Sequence, residues 1–391
     1  MPRLTVVLEQ LLAPVPGGTG RSAAQLTAAL AGTVPPDWHL RTVTAWHRDL
    51  TAARLPGVRL PERLPLGSRV LAEAWRHGWA SGRWAGRPWW GTAGGPGRPG
   101  SDTVHATTPL APDLRERLVI TVHDTVAWTH PETLTPRGAA WHRDIIGRVA
   151  PSARAVSVPS RAVADSLAEV LPAVADRITV VPHGVTPLPV PADAALRRAR
   201  LGLPERYLLS VATLEPRKGL DVLLDAVGRL SGHSGPGGPA LAVVGPGGWG
   251  GVDVPRAAAA VGIPVEQLHL LGRVDDRDLA AVLDGATVLV APSRAEGFGL
   301  PVLEAFAAGT PVVCSDAPAL AELAGSPGEA PAALVVPRGD VPALAGALEH
   351  LLVEPAARAE LIARGRRRAN DFDWERAARA TWRLHGATPA G

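Results

Sequence analysis

The chain has 391 residues, of which 46% are hydrophobic and 20% are charged. This length predicts two or three domains of roughly 150 residues each, and this composition excludes intrinsic disorder, collagen-like repeats and small disulfide scaffolds for the chain as a whole. The pI of 9.9 accompanies a formal net charge of only +3, because every basic residue except Lys218 is an arginine. The pI therefore reflects scarce titratable groups and not a basic surface, so we expect no nucleic-acid partner.

Cysteine content and hydropathy bear on the location of the protein. Cys314 is the single cysteine, so the chain can form neither an intramolecular disulfide nor a multi-cysteine metal site. We therefore expect a cytoplasmic protein. The N-terminal run MPRLTVVLEQLLAPVPGG indicates a buried strand followed by a glycine loop, not a signal peptide, and no run of about 18 apolar residues predicts a membrane span. Peripheral contact with the inner face of the membrane stays open.

Short runs of β-branched and aliphatic residues, separated mostly by stretches with helical spacing, predict strands in both halves of the chain. In chain order they are Leu4–Leu8, Arg41–Trp46, Thr103–Ala106, Leu118–His123, Ala155–Val158, Ile178–Val181, Tyr207–Ala212, Ala240–Gly245, Leu268–Gly272, Thr287–Ala291, Pro311–Ser315 and Leu334–Val336. Because these runs are apolar on both faces, they predict parallel strands covered on both sides. The expected fold class is α/β, with two doubly wound Rossmann-like domains.

Prolines mark the connection between the two domains. Pro187, Pro189 and Pro191 prevent regular structure and place the boundary near residues 185–195, which gives domains of residues 1–186 and 187–371. At the end of the chain, Phe372–Leu384 predicts a packing helix with Asp373 as its cap. Its apolar stripe consists of Trp374, Ala377, Ala378 and Trp382, and residues 372–386 can pack back on the N-terminal domain.

The segment after the Tyr207–Ala212 strand places two cations at the start of a helix. It reads TLEPRKG, with Arg217 and Lys218 just before an apolar helical stripe. Two cations at a helix N-terminus cost a few tenths to about 1 kcal/mol each unless an anion joins them. Glu215 can offset part of that charge, which is a purely structural explanation. The lone lysine favours a diphosphate ligand instead, because an ammonium group is a compact point charge.

The loop after the Thr287–Ala291 strand combines glycines with two glutamates. Gly297 and Gly299 allow a close backbone approach to a ligand, and the helix that follows directs free amides towards it. Glu296 lies in the loop and Glu304 one turn inside the helix, and ionised carboxylates accept hydrogen bonds from sugar and ribose hydroxyls. A helix with acidic residues near its start is the equally simple alternative.

Longer motifs carry a family resemblance. PSRAEGFGLPVLEAFAAGTPVVCSD and TLEPRKG resemble the retaining GT-B glycosyltransferases of family 4, including their pair of glutamates separated by seven residues. GGTGR at 17–21, VHDTVAWTHPE at 122–132, VPSRAVADSL at 158–167, VPHGV at 181–185 and LHLLGRVDDRDLAAVLDGA at 268–286 extend the match over nearly the whole chain. The resemblance is weakest at residues 50–100. It implies a GT-B fold, in which an acceptor-binding domain (1–186) and a nucleotide-sugar-binding domain (187–371) face each other across a cleft that holds the active site.

The resemblance also implies roles for individual residues. Lys218 and Arg217 would neutralise the donor diphosphate in place of a metal, so that no cofactor is needed. Ala212 and Thr213 stand where many family members carry an arginine, and Arg217 is expected to compensate. The remaining implied contacts are Glu304 to the ribose, the backbone of Gly272, Arg273 and Val274 to the base, Glu296 with Gly297, Phe298, Gly299 and Leu300 to the donor sugar, Gly17 and Gly18 to the phosphates, and His123 to the transferred sugar.

Two local patterns permit more than one interpretation. His123 and Asp124 could form a catalytic dyad, but neighbours on a strand point to opposite faces, and His123 alone could be a structural histidine. In the tryptophan-rich stretch Trp75–Trp90, the aromatic residues alternate with arginines. Such a stretch suits an anionic membrane interface or a saccharide acceptor, or else a helix packed on the sheet, which we favour. The stretch contains Trp75, Trp79, Trp84, Trp89 and Trp90 with Arg76, Arg83 and Arg87.

The resemblance implies a metal-independent, retaining hexosyltransferase that moves a sugar, such as mannose, from a GDP- or UDP-sugar to a saccharide or lipid-linked acceptor. Three alternatives stay open. A sugar-nucleotide epimerase and a non-enzymatic carbohydrate-binding protein could use the same scaffold. A dinucleotide oxidoreductase is the third, because Gly18–Ala23 matches G-x-G-x-x-A, although the match lies far from the preceding strand and lacks the expected acidic partner.

Overall fold

The structure is a computed structural model. It describes residues 1–78, 83–84, 87–88, 102–234, 238–248, 250–325 and 328–388, with only the backbone at 83–84, 87–88 and 231–234. These residues divide into two compact units. Unit 1 comprises Met1–Pro131, Pro136–Gly184 and Asp373–Gly391, and unit 2 comprises Glu132–Thr135 and Val185–Phe372.

The described part of unit 1 contains a seven-stranded parallel sheet in the order β3-β2-β1-β6-β7-β8-β9 and a separate two-stranded β4-β5 ribbon. Its strands are β1 (Arg3–Val7), β2 (His39–Thr44), β3 (Glu62–Arg63), β4 (Arg83–Trp84), β5 (Arg87–Pro88), β6 (Thr103–Ala106), β7 (Leu118–Thr121), β8 (Ala155–Val158) and β9 (Ile178–Val180). Its helices are α1 (Gly17–Gly32), α2 (Ser68–Arg76), α3 (Val126–Thr129), α4 (Pro136–Val149), α5 (Arg161–Val170) and α14 (Trp374–Leu384).

In the described part of unit 2, six parallel strands pair in the order β12-β11-β10-β13-β14-β15. They are β10 (Tyr207–Val211), β11 (Ala240–Val244), β12 (Leu268–Gly272), β13 (Val288–Ala291), β14 (Val312–Ser315) and β15 (Leu334–Val336). The helices are α6 (Ala194–Arg200), α7 (Leu220–Ser234), α8 (Val254–Ala260), α9 (Asp276–Gly285), α10 (Leu300–Ala308), α11 (Pro318–Ala324), α12 (Val341–Val353) and α13 (Pro355–Ala369). Separate apolar clusters cover the two faces of each large sheet.

The two doubly wound sheets confirm the predicted α/β fold class, and each predicted strand occurs within one or two residues of its expected ends. One difference affects a site prediction. Strand β7 ends at Thr121, so His123 lies in the following loop and not on the strand. The short β3 was not predicted, because Glu62 and Arg63 are exposed and carry no apolar pattern.

The C-terminal helix α14 packs in unit 1, as the sequence allowed. The Asp373 side chain accepts hydrogen bonds from the backbone of Glu375 and Arg376, which confirms it as the cap. The stripe of Trp374, Ala377, Ala378 and Trp382 is buried in the same apolar cluster as β1 and α1.

Trp75 is fully buried in the core of unit 1, as the packing interpretation predicts, and therefore cannot contact a membrane or a saccharide. The side chains of Trp79, Trp84, Trp89 and Trp90 lie outside the described residues. Among the residues that the structure describes, no helix is both long enough and apolar enough to cross a membrane.

A buried histidine pair joins the segment after α14 to the sheet of unit 1. His105 Nδ1 lies 3.2 Å from His385 Nε2, and His105 Nε2 lies 3.1 Å from Thr121 Oγ1. Burial lowers the pKa of His105 to about 4 and that of His385 well below its usual value, and the neighbouring histidines add to both shifts. Both imidazoles are therefore neutral at pH 7.

This pair predicts that unit 1 loses stability in mild acid. Below about pH 6.5 the unfolded chain binds protons that the buried pair does not, so each histidine lowers the free energy of unfolding by up to about 1.4 kcal/mol per pH unit. For His105 this loss continues down to about pH 4. Denaturant titrations at pH 7.5 and 5.0 would measure it by tryptophan fluorescence, because unit 1 contains the buried Trp38, Trp75, Trp374 and Trp382.

Replacing His385 with glutamine should flatten this pH dependence, whereas replacing the exposed His39 of β2 with glutamine should not. Equal pH dependence in the wild type and in His385→Gln would contradict the assignment.

Candidate active site

Two of the segments that carry predicted site residues of unit 2 follow neighbouring strands at its switch point. From β10 the chain continues to β11 on one side, while β13 pairs with β10 on the other side. Ligands of open α/β sheets bind beyond the carboxyl ends of the strands at such a reversal of strand order. The TLEPRKG segment follows β10, and the loop that contains Glu296 follows β13.

Close backbone contacts join these two segments. Gly219 has φ +66°, and a Cβ atom there would lie 2.2 Å from the carbonyl oxygen of Pro292, so both its conformation and its position require glycine. The backbone N–H of Arg294 donates to the carbonyl oxygen of Arg217 at 2.7 Å. Side chains nearly eighty positions apart therefore meet.

Three charged side chains form the centre of the site, and we call Arg217, Lys218 and Glu296 the clamp. Lys218 Nζ donates to Glu296 Oε1 at 2.6 Å, and Arg217 Nη1 donates to Glu296 Oε2 at 3.3 Å. Ser293 Oγ donates to Glu296 Oε1 at 2.8 Å. The side chains of the clamp are only 11–17% exposed, so these charges interact with little screening by water.

The clamp keeps Glu296 ionised. Burial alone would raise the pKa of Glu296, but the charges of Lys218 and Arg217 and the hydrogen bonds from Lys218 and Ser293 lower it to about 2. Because the pKa of Glu296 is depressed in the folded state, its ionised carboxylate stabilises the fold at pH values above the usual pKa of a glutamate. This stabilisation is lost as the pH falls towards 2. At neutral pH, Glu296 is thus a hydrogen-bond acceptor and not a proton donor.

The purely structural explanation, in which Glu215 offsets the charge of the two cations, accounts for Arg217 but not for Lys218. Glu215, which is 1% exposed, pairs with Arg217 through an Nε–Oε1 distance of 2.7 Å. Arg217 is therefore shared between Glu215 and Glu296, whereas Glu296 is the carboxylate that pairs with Lys218. A small cavity opens beside the clamp, and its lining includes Ser210, Ala212, Lys218, Ser293, Glu296 and Gly299.

The loop leads directly into α10, as predicted. Gly299 caps this helix with φ +101°, and a Cβ atom there would lie 2.6 Å from Leu320 Cδ2. Phe298 is buried and packs edge-on against Phe372, with ring centroids 5.6 Å apart. Glu304 is half-buried within the helix, one turn after Leu300. The predicted sugar-binding amides belong to residues 297–300. These residues directly follow Glu296 and end at Leu300, the first residue of α10.

The predicted base-binding residues lie at the carboxyl end of edge strand β12. Gly272 has φ +60°, and its carbonyl oxygen accepts a hydrogen bond from the backbone of Gly245 at 2.8 Å. Arg273 is exposed, and Val274 packs against the core of unit 2. One strand, β11, separates β12 from β10. These residues therefore lie beyond the carboxyl ends of the strands, at the same end of the sheet as the clamp.

The predicted site residues of unit 1 also lie near carboxyl ends of strands. Gly17, with φ +60°, and Gly18 are exposed in the first turn of α1. His123 Nε2 donates to the carbonyl oxygen of Thr107 at 2.8 Å, and burial lowers the pKa of His123. Asp124 instead accepts a hydrogen bond from the backbone of Val126, so the two neighbours bind different partners. This geometry does not favour a His123–Asp124 dyad.

No group of three or more His, Cys, Asp or Glu side chains is arranged to hold a metal ion in the described part of the chain. Two further residues of the site, Arg294 and Asp221, are not predicted from the sequence. Their guanidinium and carboxylate form two hydrogen bonds, at 2.8 and 2.5 Å. Arg294 lies inside a recognised motif, but no pattern in the sequence connects it to a residue more than seventy positions away.

Family models match most of the chain. One described as Glycosyltransferase Family 4 matches residues 16–187, and one described as Glycosyl transferases group 1 matches residues 194–368. O-antigen chain mannosyltransferase B of Escherichia coli is 30% identical over 276 residues, which cover 69% of this chain and 70% of that protein. The chain belongs to the GT-B glycosyltransferases of family 4. This glycosyltransferase is also 32% identical over 301 residues to a phosphatidyl-myo-inositol mannosyltransferase of Mycobacterium leprae, which is 73% of each chain.

A solved structure supports the GT-B fold of this glycosyltransferase. Anabaena HepE in complex with UDP-glucose matches it with a TM-score of 0.68 at 17% identity, over 98% of this chain and all of that one. The alternatives from the sequence are not favoured. The relatives are named as transferases, and Gly18–Ala23 lies inside α1 instead of forming a dinucleotide-binding turn. The protein is therefore an enzyme of the nucleotide-sugar-dependent glycosyltransferase class.

Proposed function

We propose that this glycosyltransferase moves a mannosyl unit from a nucleoside diphosphate sugar to a saccharide or lipid-linked acceptor, with retention of configuration and without a metal ion. The observation that carries the proposal is the clamp. Two cations that are almost fully buried face one carboxylate at the switch point of a doubly wound sheet. A diphosphate can take over both cations, which frees Glu296 to accept hydrogen bonds from the hydroxyls of the donor sugar.

The charges of Lys218 and Arg217 would stabilise the leaving diphosphate during transfer. In this proposal the bond between the anomeric carbon and the phosphate oxygen breaks, and the acceptor hydroxyl oxygen forms the new bond on the same face of the sugar. The hydroxyl proton passes to the departing phosphate. Once the diphosphate has taken over the two cations, Glu296 accepts hydrogen bonds from the Ser293 hydroxyl and from hydroxyls of the donor sugar, so it binds the sugar and does not act as the nucleophile of a covalent intermediate.

The other residues take the roles that the family resemblance implies. Within unit 2, Glu304 binds the ribose, the backbone of residues 272–274 contacts the base, and the backbone amides of residues 297–300 bind the donor sugar. Gly17, Gly18 and His123 of unit 1 contribute to the phosphates and the transferred sugar. The exposed first turn of α1 supports the phosphate role, because its free amides and partial positive charge favour anions.

The choice of a mannosyl unit rests on the relatives, since those of E. coli and M. leprae are both named as mannosyltransferases. The base is left to experiment, because the proposed base contacts are made by backbone atoms and do not discriminate between GDP and UDP. HepE, which has the same fold, was solved with UDP-glucose.

Melting temperatures measured with UDP, GDP, ADP and NAD, each with and without EDTA, test this proposal. Saturation at about 100 times the dissociation constant adds roughly 2.7 kcal/mol to the free energy of unfolding, which corresponds to a shift of several degrees. We expect one nucleoside diphosphate to give this shift with or without EDTA. Loss of the shift in EDTA would contradict metal independence, and a shift with NAD alone would contradict the proposed function.

A further inference from the structure

Arg294 joins the two segments that carry the clamp. Its Nη1 donates to the carbonyl oxygen of Pro216 at 2.9 Å, and its backbone N–H donates to that of Arg217 at 2.7 Å. Its guanidinium also binds both carboxylate oxygens of Asp221, in the first turn of α7. Arg294 thus holds two consecutive carbonyl groups of the short turn that ends in Lys218, and it connects that turn to the next helix.

We propose that Arg294 is a positioning residue for the donor diphosphate: it fixes the turn that carries Arg217 and Lys218 against the loop that carries Glu296. This inference rests on the proposed function, because it names the residue that holds the phosphate-binding side chains in place. Arg217 and Lys218 belong to a three-residue 3-10 turn, which is so short that it contains few hydrogen bonds of its own: Lys218 N donates to Glu215 O, and Gly219 N donates to Pro216 O. The turn therefore depends on contacts from outside.

The pairing of Arg294 with Asp221 argues against a direct phosphate contact. A bidentate carboxylate neutralises the guanidinium and fixes its orientation. The Arg294 side chain is 36% exposed, so its charge is also screened by water. Arg294 therefore acts by holding its neighbours in place and not by its charge. Its planar fork can reach a carbonyl group and both oxygens of a carboxylate at once, which the single ammonium of a lysine cannot do.

Arg198 offers a matched control in the same unit. Its Nη1 binds the carbonyl oxygen of Ala281 and a carboxylate oxygen of Asp284, both at 3.1 Å, so it has the same kinds of partner as Arg294. These contacts join α6 to α9 and involve no residue of the clamp. If Arg294→Met and Arg198→Met lose a similar amount of stability, that loss is structural. A loss of nucleotide affinity in Arg294→Met alone then measures the positioning effect.

The first experiment measures the affinities of the full chain for UDP and GDP by calorimetry. For the nucleotide that binds, we expect Arg294→Met to weaken affinity by about tenfold to a hundredfold. Arg198→Met should keep wild-type affinity despite a similar loss of melting temperature. Arg294→Lys should remain weak. Asp221→Asn should also weaken binding, and adding Arg294→Met to it should cause little further loss, because the two residues act as one unit.

A second experiment needs no nucleotide. Lys218 is the only lysine, so acetylation by acetic anhydride, followed by peptide mass spectrometry, reports on this one side chain. We expect slow labelling in the wild type, where Lys218 is 11% exposed and paired with Glu296. Labelling should become severalfold faster in Arg294→Met and stay slow in Arg198→Met.

Unchanged nucleotide affinity and labelling in Arg294→Met would overturn the positioning role. Tighter binding in Asp221→Asn, or full affinity in Arg294→Lys, would overturn it in favour of a direct contact between this cation and the phosphates. If the wild type bound neither nucleotide, the proposed function would fail. The labelling rates would still decide whether Arg294 positions Lys218.

Discussion

Replacing Lys218 with glutamine is expected to lower transfer by about 100- to 1,000-fold and to weaken the affinity for the nucleoside diphosphate. The reason is electrostatic. The Lys218 ammonium is almost fully buried, so it interacts strongly with charge that develops on the leaving diphosphate, and no other lysine can replace it. Initial rates with radiolabelled GDP-mannose and calorimetric titration of the nucleotide would measure both effects.

Arg197→Gln is the control for Lys218→Gln. The Arg197 side chain is 15% exposed and pairs with Asp193 and Asp278, at the contact between α6 and α9. This variant should lose some stability but keep wild-type transfer. Transfer by Lys218→Gln within a few-fold of the wild type would remove Lys218 from the phosphate site.

Replacing Glu296 with glutamine should have two opposite effects. Transfer should fall by about 100-fold or more, because the carboxylate that accepts the hydroxyls of the donor sugar is gone. Affinity for the bare nucleoside diphosphate should rise severalfold, because the phosphates no longer compete with Glu296 for Lys218 and Arg217. Calorimetry with the bare nucleotide, compared with initial rates, separates these effects.

Glu296→Gln should also lower the free energy of unfolding by about 3 kcal/mol, because it leaves two buried cations without their shared carboxylate. Saturating nucleotide should restore much of that loss. Asp278→Asn, which removes a carboxylate partner of Arg197, is the control and should leave nucleotide affinity unchanged. Weaker nucleotide binding in Glu296→Gln would contradict the competition between carboxylate and phosphate.

The sequence predicts the strands and the C-terminal helix well, because their signals are local. Buried parallel strands such as Tyr207–Val211 are short continuous apolar runs, and α14 combines an aspartate cap with an apolar stripe. The edge strand β3 lacks such a signal, since it contains two exposed charged residues. Apolar runs define the centres of strands better than their ends, so the run Leu118–His123 predicts His123 on β7, whereas the strand ends at Thr121.

The candidate site is predictable in its members more than in its contacts. The motifs indicate Lys218 and Glu296 as site residues, but their direct pairing follows only from the fold, which brings the ends of β10 and β13 together. The partnership between Arg294 and Asp221 has the same origin. Local sequence patterns carry no information about pairs so far apart, because the sheet order that joins them is a property of the whole domain.

The return of α14 to unit 1 has a consequence for biosynthesis. Apart from Glu132–Thr135, unit 2 is inserted in sequence between Gly184 and Asp373, and these two residues are close enough that a Cβ atom on Gly184 would lie 2.7 Å from the carbonyl carbon of Asp373. A ribosome therefore finishes all of unit 2 before it produces the helix that covers β1 and α1. Unit 2 can fold during translation, whereas unit 1 keeps an apolar face uncovered until α14 emerges.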